Sequence, residues 1–140
     1  MASPTNVRFP DAVDKGLADY ARRTGARKST IVVGAVDEWL RMQAFPGIVF
    51  VTEVNGERRA ALAAGPEVWT VAEAWLQHDR ASRTADMVAE AVGLTVVDVE
   101  RALSYWSAYR DEIDGLINRH HRAQDDALTA WERRRELDAV

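Results

Sequence analysis

The sequence contains no cysteine among its 140 residues. Disulfide bonds, thiolate metal sites and cysteine nucleophiles are therefore excluded, and the absence is typical of proteins from a reducing compartment. Long apolar runs are missing too, since Ile31–Val33 and Ile48–Val51 are far shorter than the roughly 20 residues of a membrane-spanning helix. Met1 is not followed by the basic residues and apolar run of a signal peptide. We expect a soluble, cytoplasmic protein.

Recognisable catalytic motifs are also lacking. The chain has no glycine-rich phosphate loop, no nucleophile elbow around a serine and no helical histidine pair with zinc-binding spacing. His120 and His121 are adjacent, so on a helix they would point about 100° apart and could not bind the same ion. We expect solvated histidines there. The sequence predicts a protein that is not an enzyme and that holds no cofactor and no metal.

The composition is globular, but the charge is unevenly distributed. Hydrophobic residues make up 47% of the chain and charged residues 29%, which is enough apolar material for a packed core. Residues 1–43 hold seven Lys or Arg against five acids, residues 44–118 hold six against twelve, and residues 119–140 hold five of each. A polyanion could therefore contact the mildly basic N-terminal segment, although the whole chain carries −4.

The first 45 residues predict one short strand and two helices. Thr5–Phe9 alternates polar and apolar residues, the pattern of a half-buried strand. Apolar residues recur with helical spacing over residues 11–24 and again from Lys28 to the break at Pro46-Gly47. The strand has no partner nearby in the chain, and these elements bury too little surface to fold alone. We expect an obligate homodimer that pairs two strands antiparallel and interlocks the helices.

Residues 4–43 resemble the ribbon-helix-helix family of DNA-binding proteins, of the Arc, MetJ and CopG type. The resemblance rests on the run Asn6–Pro10 and on the Gly25 turn, which is followed by Ser29 and the apolar stripe of the second helix. In that family the two-stranded ribbon enters the major groove, where its outward side chains touch base edges. Amides at the start of the second helix clamp a phosphate. The matching residues are Pro4, Asn6 and Arg8 for the bases and Arg27, Lys28 and Ser29 for the phosphate.

The side chains of Asn6 and Arg8 can form the hydrogen bonds with base edges that the family uses. A guanidinium suits the O6 and N7 acceptors of guanine, and a carboxamide can pair with the N6 and N7 edge of adenine. Pro4 departs from the polar residue usual at its position and has no backbone donor. Alternatively, Asn6 and Arg8 merely solvate the outer face of a ribbon whose role is dimerisation.

Residues 45–118 predict a β-hairpin followed by three helices. The apolar run Ile48–Val54, the pair Asn55-Gly56 and residues 57–62 form a strong hairpin signal, with two strands flanking a tight turn. Helical spacing then covers residues 67–78, 84–92 and 96–118, and residues 85–103 are spaced like a helix-turn-helix. We expect a mainly α protein with short β-structure. Its predicted domains are residues 1–44, residues 45–118 and a helical tail at residues 119–140.

The charge of this helix-turn-helix argues against a second DNA site. The helix in the position of a recognition helix exposes Asp98 and Glu100 in its first turns. Arg101 is the only basic residue there. A groove lined by phosphates would repel such a helix. We interpret these helices as the core of a region that meets protein.

Residues 46–118 are also similar to a small winged helix-turn-helix domain of VapB-type antitoxins. The matching runs are Pro46–Phe50, Gly65–Trp69, Gly93–Thr95, Ala102–Tyr105 and Asp111–Asp114. This resemblance implies a DNA-binding antitoxin that represses its own operon at an operator and neutralises a toxin, commonly a PIN-type ribonuclease. The acidic charge of residues 44–118 suits docking against a basic RNA-binding enzyme.

The tail combines mixed charge with a narrow apolar stripe that needs a covering surface. It could lie on the chain's own body. Alternatively, Leu128 and Trp131 anchor it in a toxin groove, and one of Arg133, Arg134 and Arg135 reaches an acidic catalytic pocket. Two alternatives to an antitoxin stay open. One is a stand-alone ribbon-helix-helix regulator, and the other is an inhibitor protein in which the ribbon only dimerises.

Overall fold

The computed structural model describes residues 3–140, and these form six helices and one two-stranded sheet. In chain order the elements are α1 (Asp11–Thr24), α2 (Lys28–Ala44), β1 (Ile48–Thr52), β2 (Arg58–Leu62), α3 (Val68–Gln77), α4 (Ala85–Val92), α5 (Val96–Ala108) and α6 (Arg110–Asp138). The prediction of a mainly α protein with short β-structure is confirmed. The chain divides into two compact units, of which the first ends at Arg41 and the second spans Met42–Val140.

In the N-terminal unit, α1 has the boundaries that the periodicity predicts. Asp11 and Asp14 place carboxylates in its first turn, near the positive end of the helix dipole. Gly25 ends the helix with a left-handed backbone (φ 71°), and its amide donates to the Ala21 carbonyl. Residues 3–10, which include the predicted strand, are neither helical nor paired as a strand within the single chain. A strand needs a hydrogen-bonded neighbour, and the prediction requires that neighbour to come from a second copy.

The N-terminal unit leaves its apolar side chains uncovered. Neither α1 nor α2 has a buried residue. In α2 the exposed fraction is 69% for Val33, 52% for Val36, 58% for Trp39 and 55% for Leu40. With Ile31, Val32 and Ala35 these side chains form the apolar stripe of α2, and at about 100° per residue Trp39 lies near its centre. Contiguous exposed apolar faces of this kind are typical of interaction surfaces.

The second unit begins with the hairpin, in which β1 and β2 pair antiparallel as predicted. Its tight turn contains Asn55-Gly56, as predicted. The Glu53 amide donates to the Glu57 carbonyl and the Gly56 amide donates to the Glu53 carbonyl, each at 2.8 Å, which closes a three-residue loop. Gly56 has φ 85°, a conformation that glycine adopts without strain and that such loops require.

Two threonine caps define the starts of α4 and α5. The Thr84 hydroxyl accepts from the Met87 amide at 3.2 Å, and the Thr95 hydroxyl accepts from the Asp98 amide at 3.1 Å. Gly93 ends α4 in the left-handed conformation. The two helices therefore lie on either side of a short turn, and they pack on each other and on α3.

The single helix predicted over residues 96–118 is wrong, because the chain breaks at Tyr109. Tyr109 has φ −126° and ψ 52°, and its amide donates to carbonyls of the last turn of α5. Side chains stabilise the bend from both sides: the Trp106 indole donates to Asp114 at 2.7 Å, and the Arg110 guanidinium lies 5.0 Å from the centre of the Trp106 ring. These contacts join two helices, so the periodicity of one helix cannot reveal them.

The core of the second unit lies where the hairpin meets α3, α5 and the first turns of α6. Its largest fully buried side chains are Tyr105, Ile48, Ile113, Val68, Val71, Val88 and Val99. The Tyr105 ring packs edge-on against Phe45 and Phe50, with centroids 5.4 and 6.3 Å away, and its hydroxyl donates to Glu112 at 2.7 Å. Tyr105 thus ties β1 and α5 to the start of α6.

The last helix continues without interruption through the predicted boundary between residues 118 and 119. Its first turns are buried through Ile113, Leu116 and Ile117, whereas every residue from 121 to 140 is exposed. The structure therefore does not show the tail packed on the chain's own body, which was the first of the two interpretations. Residues 122–138, called the α6 extension below, project as about 25 Å of helix at 1.5 Å per residue.

Candidate nucleic-acid and partner surfaces

The three side chains predicted to read bases, Pro4, Asn6 and Arg8, are all exposed. They lie ahead of α1, in a segment that ends at Pro10 with an extended backbone (φ −58°, ψ 152°). Val7, on the alternate side of the segment, is exposed as well. One copy therefore leaves Val7 and the predicted base-reading side chains uncovered, and only Phe9 of the predicted ribbon is partly buried.

Arg27, Lys28 and Ser29 meet at the start of α2, and all three are exposed. The Arg27 carbonyl accepts the Ile31 amide at 3.1 Å and so begins the helix. The Lys28 ammonium lies 3.7 Å from the Asp14 carboxylate of α1. This ion pair, which the sequence analysis missed, joins the two helices, but its exposure makes it a weak contribution to stability.

The residues predicted to contact a toxin all lie on the α6 extension. Leu128 and Trp131 are 54% and 55% exposed. The Arg135 guanidinium lies 4.6 Å from the centre of the Trp131 ring, and Arg134 pairs with Asp138 one turn further on. At about 100° per residue, Leu128, Trp131, Arg134 and Arg135 share one face, whereas Arg133 points away from it. Two of the three predicted arginines therefore accompany the apolar anchors.

A charged cluster that the sequence analysis missed lies between the hairpin and α6. Arg119 and Arg59 donate to the two carboxylate oxygens of Glu57, at 2.6 and 3.0 Å. Arg59 also lies 3.8 Å from Glu67, which accepts from the Trp69 indole at 3.1 Å. A groove of about 480 Å³ runs beside the cluster, lined by β2 and the first half of α6. Glu57 and Arg119 are 62 residues apart in the chain, so no spacing signal links them.

Two carboxyl groups of this cluster respond to their neighbours in opposite ways. The pKa of Glu57 is lowered, chiefly because Arg119 and Arg59 donate hydrogen bonds to it. The pKa of Glu67 is raised, first by burial and then by a hydrogen bond with Glu53, and these outweigh the donation from Trp69 and the attraction of Arg59. Compared with the unfolded chain, the folded protein therefore holds the proton of Glu67 to a higher pH and releases that of Glu57 at a lower pH.

Glu67→Gln is expected to remove a pH-dependent loss of stability. Folding raises the pKa of Glu67, so its protonated form contributes stability that is fully present below the ordinary value of 4.5 and is lost as the pH rises through the raised value. The glutamine carbonyl can still accept from Trp69. Urea denaturation at a series of pH values from 4.5 upward should show the variant gaining stability relative to wild type. A stability difference that stays constant over this range would contradict the prediction.

Both adjacent histidines contact α3, whereas the sequence analysis expects them to be solvated. The His120 ring lies 4.6 Å from the Trp69 ring, and His121 Nε2 lies 2.5 Å from Glu73 Oε1. They join α6 to α3 at the point where the α6 extension begins. Within residues 3–140, no three His, Cys, Asp or Glu side chains group as metal ligands, and no helix has the length and apolar character of a membrane span.

The candidate residues thus fall in two different parts of the chain. Those predicted for DNA lie in residues 4–8 and at the start of α2, and those predicted for a protein partner lie on the α6 extension. The Glu57 cluster is a third polar feature, at the base of that extension. No protein-family model, curated protein or solved structure matches this chain.

Proposed function

We propose that this protein is a homodimeric, DNA-binding antitoxin. It represses its own operon through its N-terminal unit and neutralises a toxin, a PIN-type ribonuclease, with its C-terminal part. The observation that supports the dimer best is the uncovered stripe of α2, centred on Trp39, in a unit whose two helices have no buried residue. A strand and two helices of this size reach a sufficient core only when two copies share it.

In the proposed dimer the two Thr5–Phe9 segments pair as an antiparallel ribbon. Successive side chains of a strand point to opposite faces, so Val7 and Phe9 turn toward the helices and Asn6 and Arg8 toward the solvent. A two-stranded ribbon fits the major groove of B-DNA. The excess of basic residues over acidic ones in residues 1–43 gives this unit the sign that a phosphate backbone attracts.

The toxin-binding half of the proposal is supported by charge and exposure in the second unit. Residues 44–118 hold twelve acids against six bases, which suits the basic surface of an RNA-cleaving enzyme. The exposed pair Leu128 and Trp131 offers apolar anchors on a helix, flanked by Arg134 and Arg135. This combination fits an apolar groove with an acidic rim.

Arg8→Ala and Asn6→Ala are expected to relax sequence preference in DNA binding. Each good base contact is worth about 1–3 kcal/mol of discrimination, so the affinity ratio between operator and scrambled DNA should fall about tenfold or more. Lys15→Ala is the matched control, because it removes one positive charge from an exposed position of α1. It should weaken binding to both duplexes alike. Mobility shifts on the promoter of the protein's own operon, with a scrambled duplex beside it, measure the ratio.

The same experiment separates the proposal from the inhibitor interpretation. If the wild type and both alanine variants bind the two duplexes equally, or not at all, the ribbon only dimerises. The toxin half is tested independently, by co-purifying the full chain with the product of the neighbouring gene. Trp131→Glu should lose that product while operator binding is kept.

A further inference from the structure

The outer edge of β2 runs along the groove between the hairpin and α6. Residues of an antiparallel pair bond to the neighbouring strand at every second position. The bonds just outside the two strands, from the Glu53 amide to Glu57 and from the Ala63 amide to Gly47, fix which positions these are. The β2 residues whose backbone groups point away from β1 are therefore Arg58, Ala60 and Leu62.

Ala60 is the residue of this edge whose amide lacks a partner. The Leu62 amide donates to the Pro66 carbonyl at 3.0 Å, whereas the Ala60 amide has no hydrogen-bond partner among residues 3–140. Ala60 lines the groove but is only 2% exposed, so water reaches this amide poorly. A buried amide without a partner costs free energy, and a carbonyl from another chain would remove that cost.

The groove is crossed by side chains and not by backbone. No Cα atom of β2 comes within 8 Å of a Cα atom of α6. Gly115, the only glycine of α6, lines the groove, and a Cβ added there would meet nothing within 4 Å. A strand that joins a sheet lies about 4.8 Å from its neighbour. The groove therefore has room for an extended chain beside β2.

The charges of the groove favour an acidic ligand at one end. Its arginines are Arg58, Arg59, Arg119 and Arg122, and its acids are Glu57, Asp111 and Glu112. Glu57 already accepts hydrogen bonds from two of these arginines. Asp111 lies about 16 Å from Arg122 along the α6 axis, at 1.5 Å per residue. The end near Arg122 therefore suits a carboxylate, which guanidinium groups bind strongly.

We propose that this groove binds an extended, acidic peptide segment of a partner protein, which joins the hairpin as a third strand. A carbonyl of the segment accepts from the Ala60 amide, and one of its carboxylates lies beside Arg122. Backbone hydrogen bonds of this kind supply affinity, and side-chain contacts supply specificity. Because Leu62 is already paired, the bound strand is short. The site is separate from the DNA and toxin surfaces of the proposed function and does not depend on them.

Fluorescence anisotropy with the full chain tests the site. The probe is the fluorescein-labelled peptide Thr-Val-Glu-Val-Thr. Gly115→Phe places a ring in the groove and should weaken binding about tenfold or more. Thr129→Phe adds the same ring at an exposed position of α6 outside the groove and should bind like the wild type. Arg122→Ala should also weaken binding about tenfold, because a charge-assisted hydrogen bond is lost.

Two further measurements identify the binding mode. Hydrogen exchange followed by NMR should show the Ala60 amide exchanging more slowly when the probe is bound. The peptide Thr-Pro-Glu-Pro-Thr, which lacks two amide donors, should bind at least about tenfold more weakly than the probe. Equal binding of the two peptides would mean that the groove holds a carboxylate and adds no strand, which overturns the inference.

Other results would overturn it as well. These are no binding of the probe to the wild type, equal binding to Gly115→Phe, and equal binding of a probe with lysine in place of glutamate. Urea denaturation checks that Gly115→Phe is folded. If that variant does not fold, Arg122→Ala and the exchange of the Ala60 amide decide the question, and no change in either contradicts the proposal.

Discussion

Trp39→Glu is expected to abolish both dimerisation and operator binding. Trp39 is exposed in the single chain, at the centre of the α2 stripe that the proposed dimer buries. An uncompensated charge buried at an interface costs about 3–5 kcal/mol, which corresponds to a loss of at least about 100-fold in dimer affinity. Because the DNA-binding ribbon needs one strand from each copy, the affinity for the operator falls together with the dimer affinity. Sedimentation velocity measures the first effect and mobility shifts measure the second.

Ala12→Glu is the control for this substitution. It adds the same charge to the N-terminal unit at an exposed position of α1, about a quarter turn from Val13 and Tyr20. Its dimer affinity should match that of the wild type. The second unit should keep its fold in the Trp39→Glu chain, because Trp39 is not part of its core. A Trp39→Glu chain that dimerises and binds the operator normally would show that this stripe is not the dimer face.

Tyr105→Ala is expected to destabilise the second unit by about 3–5 kcal/mol, as truncation of a buried aromatic side chain does. Tyr105 is completely buried and touches the rings of Phe45, Phe50 and Tyr109. Its removal leaves a cavity where β1, α5 and the start of α6 meet. Urea denaturation followed by far-UV circular dichroism should show a lower midpoint for the unfolding of this unit.

Tyr105→Phe separates packing from hydrogen bonding at the same position. The ring and its edge-on contacts remain, and only the hydroxyl that donates to Glu112 is lost. A net cost of about 1–3 kcal/mol is typical for a hydrogen bond from a hydroxyl to a carboxyl group. If both variants lost the same stability, the hydroxyl and not the ring would dominate at this position.

Local signals predicted most elements of the fold. The α1 helix has its expected limits because Pro10 and Gly25 act on the backbone next to them. The hairpin forms where an apolar run meets Asn55-Gly56, and the Glu53 and Glu57 backbones close its loop by pairing with each other. In each case the residues that determine the structure are neighbours in the chain, so their pattern can be read without the fold.

Contacts between distant residues decided the rest. The sequence showed helical spacing on both sides of Tyr109, but the break there is stabilised by Trp106 and Asp114 across the bend, which spacing within one helix does not encode. The ion pair of Glu57 with Arg119 joins segments 62 residues apart in the same way.

By itself, then, the sequence determined where the helices and the hairpin form and which side chains are apolar. Only the tertiary structure decided which of those apolar side chains are covered. Periodicity marks Ile113 and Trp131 equally, because both lie on one face of α6, yet the first is buried and the second is exposed. The reason is physical: local backbone preference acts along the chain, whereas burial depends on what lies across from a side chain in space.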